Sequence, residues 1–467
     1  MRLKDLEIRL LCLGLGELTI KGDKMSKPNY GLLKNAYYGT GGFEDGGYLI
    51  KHPREADDKY NKRKEISYYL NYVSAVVDGH VNPIFRAPIK RDWKNSSLSE
   101  FELFIEDVDC SGTAIDSFMK MAALSAKLYG IVFIVVDNFQ ELPATKDKTL
   151  KERKFPYLYL VNPESVKEYK LDRLGRLTEF SFAEKVGEAE QTRTLTTEGW
   201  SIEGEGSSNG AHSLGVVPVV PLLSRKVKLT EDLPPSEFTA ISRTNMNIFQ
   251  QCSWLNEILQ NQTFPLLIYP SKEATKLIIG SENALGFDGE KSQHAPNFIA
   301  PPSGPSEAIA SNIDRLIKEI YRMAQMSHAT GVQTQLSGTA KAWDFEENNM
   351  ALSDFAENLE NAEMRIGKIF SLYCNSAEFN YSCVYSRDFK VPDIKGELEI
   401  AQAAIDLNFG ELFNTEVLKR VLEVMFPGLE SESYDAIVAS LAKALEDESH
   451  TKRADEQDED DPEGIEE

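Results

Sequence analysis

Apolar residues recur at three- and four-residue steps in several long stretches of the chain, which is the spacing of one face of an α-helix. These stretches predict helices over residues 60–85, 113–128, 236–263, 306–326 and 340–377. Pro265 ends the third of them, and Ser306 is placed to cap the fourth. At 1.5 Å per residue the last helix would extend over about 55 Å, so we expect it to cross a whole domain.

Two of these helices each carry one narrow row of mostly apolar residues, which we call the seam. The seam over 236–263 consists of Phe238, Ile241, Asn245, Ile248, Cys252, Leu255 and Leu259, and that over 306–326 of Ile309, Ile313, Leu316, Ile317 and Ile320. Such a hairpin, with a broad polar remainder, is not expected to be stable alone in water. We therefore expect neighbouring copies of the chain to cover the seams.

Other stretches have the pattern of β-strands. Residues 131–136 and 157–161 predict buried strands, and 171–175 predicts a turn. From about 177 to 223 short alternating runs with Gly, Ser and Asn clusters predict a small antiparallel β domain, closed by the run 215–221. A strand over 379–388 and helices over 398–407, 415–425 and 434–445 follow. The predicted fold class is α+β, mainly helical, with a small β domain and a long helix.

Composition narrows the class of protein. A chain of 467 residues is too long to fold around a single hydrophobic core, so we expect about two or three sub-domains. No stretch approaches the ~20 apolar residues of a membrane helix, and the segment 10–15 is interpreted as core rather than signal peptide. The formal charge is −23, from 51 basic and 74 acidic residues. Because affinity for duplex DNA comes mainly from cations, such a chain could meet DNA only without holding on to it.

Motifs for chemistry are missing from the sequence. It contains no GxxxxGK[ST], no GxSxG and no HExxH, and 14–16 matches only part of a dinucleotide loop. Its five cysteines and six histidines are scattered singly, which fits a reducing cytoplasm and argues against a metal site. The acidic run 458–461 lies on a tail predicted to be disordered, unlike the rigid pocket of a two-metal enzyme. We expect no enzyme activity, no cofactor and no metal.

Two clusters have a possible functional interpretation beside an ordinary one. The stretch 60–72 mixes tyrosines with Lys62, Arg63 and Lys64, a combination that can bind single-stranded nucleic acid. The tyrosines also fall in an apolar stripe, so helix packing is the favoured interpretation. Glu106, Asp107 and Asp109 are likewise interpreted as part of a loop or of the segment that leads into a helix, rather than as a catalytic cluster.

The order of these elements resembles the tailed-bacteriophage portal (head–tail connector) protein family. Local patches over 60–68, 82–88, 128–136, 213–221 and 337–342 are also similar to portal sequences, and the resemblance covers about 48–445. It implies a wing (1–235), stem helix 1 (236–263), a clip (264–304), stem helix 2 (305–326), a tunnel loop (327–339), a long wing helix and strand (340–393), a crown (394–445) and an acidic tail (446–467).

The resemblance implies a function. Portal subunits form a ring, usually of twelve, at a unique capsid vertex, where double-stranded DNA is packaged and ejected. The terminase large subunit docks on the clip, and head–tail adaptor or tail proteins replace it. Major capsid and scaffolding proteins are further implied partners, without a membrane, and the location is the virion after assembly in the bacterial cytoplasm. The alternative is another virion structural protein, such as a head–tail adaptor or minor capsid protein.

The resemblance also implies site residues. The tunnel loop would present His328, Thr330, Gln333, Gln335 and Ser337, the channel face of the stem Arg315, Lys318, Glu319 and Arg322, and the clip Lys272, Glu273, Lys276, Glu282 and Lys291. The stem cations would relieve local repulsion of DNA. Pairing with Glu307, Asp314 and Glu319 at helical spacing is an equal alternative for them.

Overall fold

The computed structural model describes residues 29–93, 99–141, 143, 145–187, 189–204, 206–262, 266–270, 284–287, 297–299, 303–326, 338–376, 379–389, 394–407, 410–426, 434 and 436–440. The helices are α1 Tyr30–Tyr38, α2 Asp57–Ile66, α3 Tyr72–Val81, α4 Ser99–Glu106, α5 Ile115–Tyr129, α6 Lys146–Lys151, α7 Phe238–Gln262, α8 Gly304–Met323, α9 Gly338–Tyr373, α10 Ile394–Asp406 and α11 Glu411–Met425. Short 3-10 turns lie at Gly41–Phe43 and Asn82–Phe85.

The strands are β1 Lys90–Asp92, β2 Ile131–Asp137, β3 Tyr157–Val161, β4 Val166–Leu171, β5 Leu177–Val186, β6 Ala189–Thr196, β7 Gly199–Glu203, β8 Ser208–Ala211, β9 Val219–Leu223, β10 Leu266–Pro270, β11 Ala284–Phe287, β12 Asn297–Ile299 and β13 Ser382–Val384. They form sheets ordered β1-β13, β11-β10-β12, β3-β2-β9 and β4-β5-β6-β7-β8. The α+β class predicted from the sequence is confirmed at this level.

Strand β2 is the centre of the N-terminal half, and every one of its residues is buried. Alternate side chains point to opposite faces of a strand. Val132, Ile134 and Val136 therefore join one core with α4, α5 and α9, which we call the long-helix core. Ile131, Phe133 and Val135 join a second core under the five-stranded sheet, which we call the sheet core. The uninterrupted apolar run in the sequence thus reflects a strand that separates two cores.

The predicted β domain differs from the observed one at both its start and its end. Its sheet begins earlier, with β4, and β4 to β8 are all antiparallel neighbours. The run 215–221 does not close it, because β9 pairs with β2 in the other sheet. β9 has buried residues on both faces, Val219 in the sheet core and Val220 in the long-helix core. It is also an edge strand, where Pro221 is tolerated.

The single helix predicted over 60–85 is wrong, because the chain forms α2 and α3 with a break between them. The Asn71 side chain caps α3 by accepting a hydrogen bond from Ser74 N. Asn245, which is fully buried on α7, bonds backbone groups on the α3 side of the break. Its amide oxygen accepts from Tyr72 N at 3.0 Å, and its amide nitrogen donates to Leu70 O at 2.9 Å. A contact from a distant helix therefore decides a local structure.

Smaller differences concern the ends of elements. Ser306 does not cap α8: the helix begins at Gly304, and the Ser306 hydroxyl donates to Ser303 O from within the first turn. Residues 90–92, for which the sequence pattern predicts no strand, form β1 and pair with β13. The strand predicted over 379–388 is shorter in the structure, where the three residues Ser382–Val384 form β13.

The long helix predicted over 340–377 is confirmed as α9, with 36 residues from Gly338 to Tyr373. At 1.5 Å per residue it is about 54 Å long. Its predicted apolar face is buried in the long-helix core: Leu352, Phe355, Leu359, Ala362, Ile366 and Ile369.

Candidate functional site

Helices α7 and α8 form an antiparallel hairpin, the pair that the sequence analysis singles out. Asn312 on α8 donates to the side-chain oxygen of Gln251 on α7 at 2.8 Å. The predicted seam residues Phe238, Ile241, Ile248, Cys252, Ile313 and Ile320 are buried. They form one core with residues of α1, α3 and α5, which we call the hairpin core: Tyr30, Leu33, Val73, Val77, Leu128 and others.

Leu259, at the end of the seam, is 47% exposed. The buried part of the seam is covered by the same chain, with apolar faces on short helices between Tyr30 and Val81, so the expectation that neighbouring copies cover the seam is wrong for that part. Those helices have only two or three turns each, so a repeat along the sequence marks them weakly.

Exposure along the hairpin is uneven. On α7 nearly all seam positions up to Ser253 are buried, whereas Trp254 is 40% and Leu259 47% exposed. On α8 Glu307 at the start is exposed, and Ile320 near the end is fully buried. Because the helices are antiparallel, the exposed parts lie at one end. The hairpin thus has its base in the core and projects beyond it.

Buried polar contacts fix the side of α7 to the loop before α2. Arg63, which is 1% exposed, donates to both carboxylate oxygens of Glu55 at 2.7 and 2.8 Å. It also donates to Ser253 Oγ at 2.9 Å, and Gln250 on α7 accepts from Ile50 N at 2.7 Å. The hydrogen bonds from Arg63 lower the pKa of the Glu55 carboxyl. The tyrosine and lysine stretch 60–72 is therefore used for packing, as the favoured interpretation predicted.

A second polar group holds the base of the hairpin. Lys127 on α5, 3% exposed, lies 3.0 Å from Glu237, directly before α7, and 4.6 Å from the centre of the Phe355 ring on α9. Burial lowers the pKa of Lys127. Arg225 also binds Glu237, at 2.9 Å. This group ties the start of α7 to α5 and α9.

The end of α8 is held by a histidine. His80 on α3 is 5% exposed, and its Nε2 lies 2.8 Å from the carbonyl oxygen of Ala324. Burial first, and Lys127 second, lower the pKa of His80 to about 3. The ring is therefore neutral at pH 7, and Nε2–H donates to Ala324. Met326 packs close to Gly79, where an added Cβ would lie 2.4 Å from its methyl carbon.

The long helix carries a buried carboxylate of its own. Glu363 is fully buried and accepts hydrogen bonds from Arg91 Nε at 2.6 Å and from the hydroxyls of Tyr381 and Tyr385. Burial lowers the pKa of Arg91, but the hydrogen bonds and charge interactions with Glu363 and Asp116 together outweigh this effect and raise the pKa above its ordinary value. Arg91 also contacts Asp116 at 2.6 Å. This group joins α9 to β1, β13 and α5.

The predicted stem residues lie on α8, and Arg315, Lys318 and Arg322 are exposed. Arg322 forms an ion pair with Glu319 at 2.7 Å, so the pairing alternative is confirmed for these two. Arg315 instead donates to the amide oxygen of Asn312, at 2.9 and 3.1 Å. Lys318 lies between Arg315 and Arg322 in the sequence of α8 and is exposed.

The other predicted site residues lie outside the described residues. They are the tunnel-loop residues His328, Thr330, Gln333, Gln335 and Ser337, and the clip residues Lys272, Glu273, Lys276, Glu282 and Lys291. Of the predicted clip, three strands are described: β10 lies between β11, parallel to it, and β12, antiparallel to it.

Sequence reasoning missed His80 and Lys127, which fix the hairpin, and Glu363, which fixes the long helix. All three stand alone in the sequence, without a motif. Each is a polar residue within an apolar helix face, and this was the one signal available for them. In the described part of the chain, no group of three or more His, Cys, Asp or Glu residues is placed to hold a metal ion. None of the helices seen there is long and apolar enough to span a membrane.

No family model and no curated protein matches this chain. Solved structures do. The neck of an empty gene transfer agent (GTA) particle, computed with C6 symmetry, matches with a TM-score of 0.42 and 11% identity over 82% of this chain and 92% of that chain. The neck of the native particle, computed with C12 symmetry, matches with a TM-score of 0.42 and 9% identity over 78% and 89%.

A third match is an HK97 family phage portal protein from Corynebacterium diphtheriae. Its TM-score is 0.32, with 8% identity over 67% of this chain and 91% of that chain. The resemblance to portal proteins predicted from the sequence agrees with these matches.

Proposed function

We propose that this chain is a subunit of a phage portal: a ring at one capsid vertex through which double-stranded DNA enters and leaves. The observation that carries the proposal is the α7–α8 hairpin. Its base is fixed on both helices by buried polar contacts, through Arg63 and Lys127 to α7 and its start and through His80 to the end of α8. Its other end projects. A projecting rod with a rigid base is what a stem around a channel requires.

The parts follow the family that the sequence resembles. We assign residues 1–235 to the wing, 236–263 and 305–326 to the stem, 264–304 to the clip, 327–339 to the tunnel loop, 340–393 to the long wing helix and strand, and 394–445 to the crown. The mixed sheet of β10, β11 and β12 lies within the proposed clip. The terminase large subunit, and later head–tail adaptor or tail proteins, would dock there.

The charge suits a channel. Duplex DNA carries about one negative charge per 1.7 Å of its axis, so a ring of unpaired cations would bind it tightly. A chain with a formal charge of −23 gives a largely repulsive wall. On α8 the pairing of Arg322 with Glu319 leaves little net charge at that level. We propose that Arg315, Lys318, Glu319 and Arg322 face the channel, where the charges of Arg315 and Lys318 relieve part of the repulsion between the acidic chain and DNA.

Negative-stain electron microscopy of the purified full chain tests this proposal. We expect rings with an axial hole and, with the count usual in the family, twelve subunits. A compact solitary particle at every protein and salt concentration would contradict the portal function. It would favour another virion structural role, such as a head–tail adaptor.

A further inference from the structure

The end of the long helix α9 borders a cavity of about 570 Å³, which we call the α9 cavity. The helix ends in a Schellman motif: Asn375 is left-handed, with a φ of 52°, and Ser376 N donates back to Ser371 O at 3.0 Å. The chain turns at this point, and Phe379 and Asn380 line the cavity together with the last turns of α9. The volume lies within the range of about 300–1,000 Å³ that is typical of ligand pockets.

The described lining of the α9 cavity is partly apolar, and none of it is acidic. The apolar part consists of three half-buried side chains, Met364, Leu372 and Phe379. Two exposed polar residues also line it, Asn380 and Ser213, which comes from the loop before β9. Such a lining suits a ligand that has both an apolar group and hydrogen-bond acceptors.

Two cations of α9 add a preference for negative charge. Lys368 lines the cavity, and Arg365 lies three residues earlier, on the same side of the helix. Both are exposed, and neither forms an ion pair with a described residue. In a chain with 74 acidic and 51 basic residues, two neighbouring unpaired cations beside a cavity favour an acidic occupant.

One segment outside the described residues has the matching composition. Residues 446–467 contain 12 acidic and 2 basic side chains. Ile465 is the one large apolar residue among them, and it lies between Glu463 and Glu466. The chain from Ser440, the last described residue, to Ile465 can extend over about 80 Å. This length exceeds that of α9, so the segment is long enough to reach along the whole helix.

Charge complementarity and chain length point to this segment as the occupant: we propose that residues 463–467 bind in the α9 cavity of the same chain. The Ile465 side chain lies on the apolar lining, and the carboxylates of Glu466 and Glu467 lie beside Arg365 and Lys368. Exposed ion pairs are weak individually, but a tethered segment has a high effective concentration at its site. The contact does not require a ring, so it is independent of the proposed portal function.

A disulfide tests the contact in the full chain. In a Cys12→Ser, Cys110→Ser background, which removes the exposed thiol of Cys110, Asn380→Cys is combined with Gly464→Cys and oxidised with diamide. We expect a disulfide within one chain, identified by mass spectrometry, to form about tenfold faster than in the control. The control combines Gly464→Cys with Ser117→Cys, which is also exposed but lies on α5. Equal rates, or disulfides between chains, overturn the inference.

Charge reversal provides a second readout in the same disulfide variant. Arg365→Glu with Lys368→Glu should slow disulfide formation by about fivefold, with unchanged circular dichroism. Lys120→Glu with Lys148→Glu is the control, because it changes the net charge equally at exposed positions on α5 and α6. It should leave the rate close to that of the parent. An equal slowing by both pairs, or by neither, contradicts binding at the α9 cavity.

Competition identifies the chemistry that the cavity recognises. An excess of a synthetic peptide of residues 455–467 should slow the disulfide. The same peptide with Ile465→Asp is more acidic but lacks the apolar side chain, so it should compete about threefold less well. If that peptide or a short DNA duplex competes as well as the parent peptide, the site is only a cationic surface and the inference is overturned.

Discussion

Single buried charges determine how the elements of this protein are joined. Glu363, Lys127 and Arg63 are each almost fully buried, and each meets an opposite charge. For Glu363 and Lys127 that charge comes from a distant part of the chain. A buried ion pair is weak evidence for net stability, but removing one partner leaves an uncompensated charge. We therefore expect large effects from removing one partner and small effects from comparable changes at the surface.

Glu363→Gln should lower the free energy of unfolding by about 3 kcal/mol, because Arg91 stays buried with one of its two carboxylates lost. Chemical denaturation monitored by fluorescence measures this. Glu357→Gln is the matched control on the same helix, since its ion pair with Lys226 is exposed and is worth less than about 1 kcal/mol. Equal effects of the two substitutions would refute a special role for Glu363.

The Glu55–Arg63 pair makes stability depend on pH. Arg63 lowers the pKa of Glu55 in the folded chain. The unfolded state then binds more protons, so this contribution is present above the ordinary carboxyl value of about 4.3 and is lost as pH falls through the lowered pKa. The stability difference between the parent chain and Glu55→Gln should be largest near neutral pH and shrink in acid. A difference that grows on acidification would contradict this linkage.

At the scale of elements, the sequence predicted structure well where neighbours in the chain decide it. Helix α5 ends at Gly130, whose φ of 90° suits glycine, and β2 and β3 lie where their apolar runs predicted them. It failed where a distant element decides. The break between α2 and α3 depends on Asn245, and β9 depends on β2. No local pattern contains either contact.

The same reason limits the prediction of the site. The apolar spacing indicated the α7–α8 hairpin correctly, but not that α1, α3 and α5 cover its seam. Deletion of residues 236–326 would remove about half of the buried residues of the hairpin core. We therefore expect the remaining chain to unfold rather than to persist as a folded monomer.

Asn245→Ala tests the contact that fixes the break. The change removes the acceptor of Val73 N, one acceptor of Tyr72 N and the donor to Leu70 O, whereas Tyr72 N and Leu70 O keep the hydrogen bond to each other at 3.1 Å. A buried unsatisfied group costs about 1–3 kcal/mol, and the buried Val73 amide loses its partner, so we expect a loss of about 2 kcal/mol in the free energy of unfolding. Asn247→Ala, on the exposed side of α7, should cost less than about 1 kcal/mol. Thermal denaturation of both variants measures the two losses in the free energy of unfolding.

At the scale of the whole molecule, charge opposes assembly. Copies with a formal charge of −23 repel one another when brought together in a ring. Salt screens this repulsion, with a Debye length of about 30 Å at 0.01 M and about 8 Å at 0.15 M. Raising the salt over this range should lower the protein concentration needed for rings, measured by mass photometry. Rings that dissociate as salt rises would instead indicate ion pairs between subunits.

Strand β2 also limits how freely the parts of this protein can change. Phe133 belongs to the sheet core and its neighbour Ile134 to the long-helix core, so a substitution at either residue that shifts the β2 backbone disturbs both cores. The five-stranded sheet is consequently not a portable module: grafted onto another protein without β2, it would lose the surface on which aromatic side chains such as Phe180 pack. We therefore expect the packing of the sheet and that of the long helix to evolve together, through the strands that they share.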